Sequence, residues 1–474
     1  TSIFITKKNT SDSKVGDIEE AYNRVRKHNF SGNRGQAIKN SYYFLLTTLV
    51  GKIGSLVFTI FIARLLMPEL FGLYGIALST IILFSSFSDL GISTALLTFM
   101  SKKFGNKELS KEKGYYEHLL KYKVILLSSV SIVLLASSYF VANYYYHKPI
   151  FLTLLIGAIY IPAVGLVGYF GQVFAARNNF RMGLVKEIII QVTRLTIVPL
   201  VILLLIGKIQ TQFLLMLIFL SLSLAYTLAA LFLYVRIKKA DFFKVKTEKL
   251  SKSEKSELAK FVLPLSVTAL SGMFFGSIDM IMLGRFVASE FVGFYQSSFS
   301  LISSASAIVA FSGTALFPIL AKLGGKRLER GFKKSVRITA IVAILAAIFT
   351  YLFSETIILL IYGAEYSNSI LLLKLFSLML FSTPIIAMYS SYYISQKNTR
   401  SYAGLLILST ILNIVLNYIL ITSFISRGMM AAVVGACIAT IISNYIYLIG
   451  LIVLRKKVWR SLKGIPSLGN IKLV

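Results

Sequence analysis

From Ser41 to Leu454, apolar residues run in blocks of about 20 separated by short polar connections. Each block can cross a hydrocarbon core of roughly 30 Å at about 1.5 Å of helical rise per residue. The blocks are continuously apolar and lack the in-and-out alternation of a barrel strand, so they predict helices. Twelve spans are expected, at roughly 41–66, 70–100, 122–146, 150–175, 184–206, 210–235, 260–286, 291–317, 336–361, 368–395, 402–424 and 428–454. Pro68, Pro149 and Gly207 mark tight connections. Residues 1–38 are polar and contain no apolar core of the signal-peptide kind.

The spans fall into two sets. "ARLLMPELFGLYGIALS" (Ala63–Ser79) is echoed by "GRFVASEFVGFYQSSFS" (Gly284–Ser300). Arg64, Glu69, Gly72, Tyr74 and Ser79 answer to Arg285, Glu290, Gly293, Tyr295 and Ser300 at one offset of 221 residues. Lys39, Thr47, Leu49 and Gly51 match Lys260, Thr268, Leu270 and Gly272 at that offset. Thr94–Leu96, Lys102, Gly105 and Arg177–Asn178 find partners at an offset of 220. The chain therefore reads as two homologous halves of six spans. Six is even, so both halves enter the membrane in the same direction as parallel repeats, an arrangement suited to alternating access. The expected organisation is an N-terminal tail (1–38), a first lobe (39–235), a basic linker (236–259), a second lobe (260–454) and a C-terminal tail (455–474). In the repeated turn, Arg64 with Glu69 and Arg285 with Glu290 are expected to pair across the connection while Gly and Tyr seat the next helix. An outer gate is the alternative.

Composition agrees, with 56% hydrophobic residues. The formal net charge of +31 changes the picture through its placement. Lys and Arg crowd the termini and alternate connections, including 101–123, 176–186, 236–260 and 318–337. The opposite connections carry only Arg64, Lys148, Lys208, Arg285 and Arg427. This positive-inside bias predicts a multi-pass protein of the cell membrane with both termini cytoplasmic. Basic clusters beside the spans are expected to attract anionic headgroups. No soluble module is visible that would bind nucleic acid. The linker is expected on the inner surface, with Phe242 and Phe243 dipping into it. Cys437 is the sole cysteine, and His28, His118 and His147 are scattered, so neither a metal site nor a cofactor is expected.

Charges inside a span are costly and mark candidate functional sites. Lys52, Arg194 and Asp279 stand where the other repeat has Met273, Ile414 and Phe58, so the shared scaffold does not demand them. Lys52 and Arg194 each lie about ten residues into their spans from the same side, roughly 15 Å deep. A phosphate or pyrophosphate between them would gain charge-assisted hydrogen bonds. Neutralisation by carbonyls or a carboxylate within the bundle is the alternative. Asp279 and Lys374 share a depth near the opposite side and could form an ion pair or protonatable gate, although Lys374 could instead snorkel outwards. Asp89 is expected to cap or to pair with nearby lysines rather than couple transport to an ion.

"IARLLMPELFGLYGIA", "DLGI" at Asp89–Ile92 and "IDMIMLGRF…VGFY" resemble lipid-linked oligosaccharide flippases of the polysaccharide-export family. That family belongs to the multidrug/oligosaccharidyl-lipid/polysaccharide exporter superfamily, and the likeness covers about residues 39–458. It implies an all-α polytopic membrane protein with two six-helix lobes in a V. It also implies translocation of a polyprenyl-linked oligosaccharide from the cytoplasmic to the outer leaflet, with downstream glycan-assembly proteins as possible partners. The peptidoglycan-precursor relative usually has two further C-terminal spans, which are not expected here, and this lowers the peptidoglycan reading without excluding it. No GxxxxGK[ST] loop occurs, so intrinsic ATP hydrolysis is not expected. A drug or small-solute antiporter of the same superfamily is the second reading. A membrane-embedded glycan polymerase or glycosyltransferase is the third, disfavoured by short outer connections and the lack of Asp-x-Asp.

Overall fold

A computed structural model describes residues 32–314, 325–395 and 399–463. The expected tail up to residue 31 and the repeat matches within 315–324 and 396–398 lie outside the described residues. The first half contains α1 (Gly32–Ser86), α2 (Ile92–Gly105), α3 (Leu109–Phe140, continued by a π-helical turn at Val141–Tyr146), α4 (Phe151–Ala176), α5 (Phe180–Leu205) and α6 (Thr211–Lys238). A short α7 (Asp241–Lys244) lies in the linker. The second half contains α8 (Lys252–Phe286), α9 (Ser289–Thr314), α10 (Gly325–Leu352), α11 (Ser354–Ile361), α12 (Ser369–Phe376), α13 (Met379–Ser395), α14 (Thr399–Phe424) and α15 (Met429–Lys463).

Proline chemistry sets the first break. Met67 leaves the helical region at φ 59°, ψ 170°, dividing α1 into two arms. Pro68 has no N–H for the preceding turn, and its ring excludes helical geometry at the residue before it. The second repeat makes the same corner without proline: α8 ends at Phe286, Val287 is extended, and α9 begins at Ser289.

By length and composition, eight described helices could cross a membrane, or ten if each of two bent pairs counts as one span. Ile38–Ser86 enters that set as one helix although Met67 divides it, and the serine-rich Ser289–Thr314 is not in it. The expected ninth span, 336–361, is redrawn: α10 starts at Gly325 and stops at Leu352, and α11 follows as a separate element.

Each half packs as its own bundle. In the first lobe α4 lies along α6 and α1 along α5; in the second, α14 packs on α15 and on α8. One buried cluster runs through both lobes, a second fills the first lobe and takes in the start of α8, and a third lies within the second lobe.

The lobes meet most tightly through the second arm of α1 and α9, the two helices that open with the repeated turn. A Cβ built on Gly72 would fall 1.7 Å from the Ser289 carbonyl oxygen, and one on Gly293 would fall 2.1 Å from that of Pro68. The repeated glycines are therefore a pseudo-twofold backbone crossing, where only hydrogen fits. Around it, the Tyr366 hydroxyl donates to the Ala63 carbonyl at 2.7 Å and Lys148 Nζ to the Val287 carbonyl at 3.0 Å. At the other end, which carries the linker, α8 leans on the first lobe. Ser266 Oγ donates to the Leu90 carbonyl at 2.8 Å, and Phe261 meets Phe99 edge-on.

The linker packs on protein, contrary to the expectation that its phenylalanines dip into the membrane surface. Phe242 is fully buried among Tyr116, Phe243 and the Arg177 guanidinium. Lys113 donates to the carbonyls of Phe243 and Val245, and Lys111 bridges Glu248 and Glu254. The two Lys113 bonds satisfy carbonyls that an isolated four-residue helix leaves open.

Candidate functional site: a cation in one lobe and an acid in the other

The α1–α5 seam is made by small residues on the first arm of α1. Gly51 and Gly54 allow α5 to approach, with Glu187 and Gln191 side chains filling the space that Cβ atoms would take. Gln191 Nε2 donates to Glu187 Oε1 at 2.8 Å. One turn further along α5, Arg194 is 8% exposed. Its Nε donates to Gln191 Oε1 at 2.9 Å and its Nη2 to Ser55 Oγ at 2.7 Å. The guanidinium lies 4.6 Å from the centre of the Phe58 ring. No carboxylate pairs with it among the described residues. A buried guanidinium held only by neutral groups keeps an unspent positive field and free N–H donors.

Lys52 lies one helical turn before Ser55, so the two sequence-predicted cations border the same seam. Lys52 is exposed and forms no ion pair among the described residues. The motif residue Tyr74 is buried and within electrostatic reach of Arg194.

The equivalent seam of the second lobe, α8 against α14, has the opposite polarity. Asp279, aligned with Phe58, is 4% exposed. Its Oδ2 accepts from Tyr295 Oη at 2.8 Å and Thr440 Oγ1 at 2.7 Å, and its Oδ1 from Asn417 Nδ2 at 2.6 Å. Asn413, one turn before Asn417, flanks the carboxylate, and its amide makes no hydrogen bond of ordinary geometry. The Asn417 side-chain oxygen is likewise buried and unpartnered. Two hydroxyls and an amide N–H thus meet the carboxylate, and no cationic side chain among the described residues pairs with it. Hard oxygen donors of this kind suit a proton or a small hard cation rather than a soft metal.

The expected Asp279–Lys374 pair does not form. Neutral donors on α9, α14 and α15 saturate the carboxylate, whereas Lys374 sits half-buried on the separate helix α12. Equal depth along two spans does not fix azimuth. The expected Arg–Glu pairs of the repeated turn also fail. Arg64 donates to the carbonyls of Leu360 and Ile361 at the end of α11, where unsatisfied carbonyls and the negative end of the helix dipole attract a cation. Glu69, Arg285 and Glu290 are exposed, with no ion pair among the described residues. Asp89 follows its lysine-pairing expectation: Oδ1 lies 2.6 Å from Nζ of Lys123, which is 2% exposed and also donates to the Ser88 carbonyl.

Sequence reasoning missed Tyr295, Asn413, Asn417 and Thr440 as partners of Asp279, and Ser55, Phe58 and Gln191 as partners of Arg194. The Asn-x3-Asn spacing within an apolar span was a readable signal, since it stacks two amides on one helix face.

The family model described as "Polysaccharide biosynthesis protein" matches residues 37–324, and a second, "MatE", matches 264–419. The chain belongs to the polysaccharide biosynthesis protein family. An uncharacterized membrane protein of Methanocaldococcus jannaschii is 28% identical over 306 residues, 60% of this chain and 67% of that one. Among solved structures, an inward-facing multidrug resistance MATE transporter of the MOP superfamily superposes with a TM-score of 0.68 at 15% identity, covering 90% of this chain and 100% of that one. The lipid II flippase MurJ, in an inward closed conformation, gives 0.67 at 16% identity, covering 90% and 93%. This member of the polysaccharide biosynthesis protein family therefore has the two-lobed, V-shaped fold of these solved structures, and its apolar helices make it a multi-pass membrane protein.

Proposed function

We propose that the chain is a flippase for a lipid-linked oligosaccharide, moving a polyprenyl phosphate or pyrophosphate glycan from the cytoplasmic to the outer leaflet of the cell membrane. The observation that carries this reading is Arg194, a buried guanidinium with no carboxylate partner among the described residues, bonded to Ser55 one turn along α1 from the exposed Lys52. An anionic phosphate is the group that such a seam lacks. Arg194 would grip two phosphate oxygens, and Lys52 would add a mobile point charge. The lobes then alternate access, with the Gly72–Gly293 crossing as the closed outer contact and both termini in the cytoplasm. Asp279 and its amide and hydroxyl neighbours supply a binding site for a coupling proton or sodium ion in the second lobe, in place of ATP hydrolysis. The lipid-linked glycan and surrounding membrane lipids are the partners this reading requires.

Export of an organic cation is the second reading, favoured by the MatE match over 264–419 and by the acid at Asp279. The two differ in the sign of the cargo's charge, an anion suiting Arg194 and a cation suiting Asp279. The test is appearance of lipid-linked glycan in the outer leaflet of cells that make equal amounts of each variant. Arg194→Gln should cut flipping by at least about tenfold, the value of one lost charged hydrogen bond. Arg194→Lys should restore part of it. Full flipping by the Lys52→Gln/Arg194→Gln double variant would refute the site.

A further inference from the structure

Two cavities lie end to end along the α4–α6 seam of the first lobe, away from the charged seams described above. The first, of about 400 Å³, opens where both helices end beside the linker, and carries Arg177, Arg236 and Lys239. The second, of about 580 Å³, lies between the same helices deeper in the span and is lined almost wholly by apolar side chains such as Ile159, Leu166 and Leu231. Helical spacing puts them in line. On α4 the stripe Ile159, Leu166, Phe170 continues through Val173 to Arg177, and on α6 Leu231 and Tyr234 lead to Ile237. The rings of Phe170 and Tyr234, 5.7 Å apart, mark the junction.

The basic cavity is built rather than incidental. Arg177 is held with its guanidinium 5.3 Å from the Phe104 ring centre and 5.0 Å from that of Phe242. Behind it lies Glu112, fully buried, with an oxygen 3.3 Å from Arg177 Nε. One acid against three cations leaves the cavity positive. Arg236 and Lys239 are exposed at its rim. The apolar cavity is open sideways, since Ile159 is 53% and Leu231 54% exposed on the face that meets hydrocarbon.

We infer that this seam is a binding site for one anionic phospholipid of the surrounding bilayer, its phosphate among Arg177, Arg236 and Lys239 and an acyl chain in the groove below. A basic pocket at the ends of the spans, followed along the same seam by an apolar groove, matches both halves of such a molecule. A soluble phosphate would use the upper cavity alone and leave the groove without a role. The site is separate from Arg194 and Lys52, so it stands whether or not they bind the transported lipid.

The test is native mass spectrometry of the full chain released from nanodiscs of phosphatidylglycerol mixed with phosphatidylcholine. The parent should retain one phosphatidylglycerol in preference to phosphatidylcholine, and millimolar inorganic phosphate should not displace it. Arg236→Gln/Lys239→Gln should lower retention at least tenfold, and Thr227→Trp, which fills the groove without touching a charge, should do the same. Both variants leave the buried Arg177–Glu112 pair intact. Equal retention of the two lipids by the parent would overturn the site, as would unchanged retention in either variant. Displacement by inorganic phosphate, with Thr227→Trp behaving as the parent, would also overturn it by assigning the pocket to a soluble anion.

Discussion

Adding one methyl group at the lobe crossing tests whether the repeated turn is a closed contact that must part during transport. In Gly72→Ala the new Cβ would stand 1.7 Å from the Ser289 carbonyl oxygen and 2.9 Å from the Gly293 nitrogen. Both are backbone atoms, so no rotamer change relieves the clash. The facing helix must retreat by roughly 1.5–2 Å to regain ordinary van der Waals separation. Overpacking of this kind costs about 1–3 kcal/mol, and the cost falls only on the state in which the helices touch. A bias of about 1–3 kcal/mol shifts a two-state equilibrium by roughly 5–150-fold towards the parted state. Gln296 reports on it, being 7% exposed and packed over Gly75. A cysteine at Gln296, in a Cys437→Ala background, should react with a polar thiol reagent about 5–150 times faster once Gly72→Ala is added. Gly293→Ala, whose Cβ would meet the Pro68 carbonyl at 2.1 Å, should act alike, and the double variant should fall short of the sum because both strain one seam. Gly168→Ala, with open space around its Cβ, is the control and should change nothing. Unaltered labelling and an unaltered melting temperature in Gly72→Ala would refute the reasoning.

Three other outcomes are expected. Asp279→Asn should insert normally but make transport indifferent to sodium replacement and to collapse of the proton gradient; a variant as ion-dependent as the parent removes Asp279 from coupling. Phe242→Ala, which empties a fully buried aromatic site, should lower stability by about 3–5 kcal/mol and loosen the linker, read as faster proteolysis between α6 and α8; proteolysis at the parental rate contradicts the linker packing. Cysteines replacing Ser253 and Lys208 should be labelled from the cytoplasm and from outside respectively, and the reverse pattern would invert the proposed orientation.

The sequence by itself determined that this is a helical membrane protein with an internal repeat. Those properties depend on solvent and on chain period: an apolar run of span length has no other stable place, and two copies of one pattern fold alike. Lys52, Arg194 and Asp279 were readable for the same reason, since charge is expensive in hydrocarbon wherever the helix turns. Tertiary structure decided how those charges are used. Arg64 passes over Glu69 for the carbonyls of Leu360 and Ile361, almost 300 residues away in the chain. Asp279 passes over Lys374 for Tyr295, Asn417 and Thr440. Side-chain partners depend on the rotation of each helix about its axis and on which helices touch, and a hydrophobic pattern of spans constrains neither. The repeated Gly and Tyr show both levels at once. Their recurrence was visible in the sequence, but packing alone made the glycines a backbone crossing and set Tyr74 near a cation and Tyr295 against an acid.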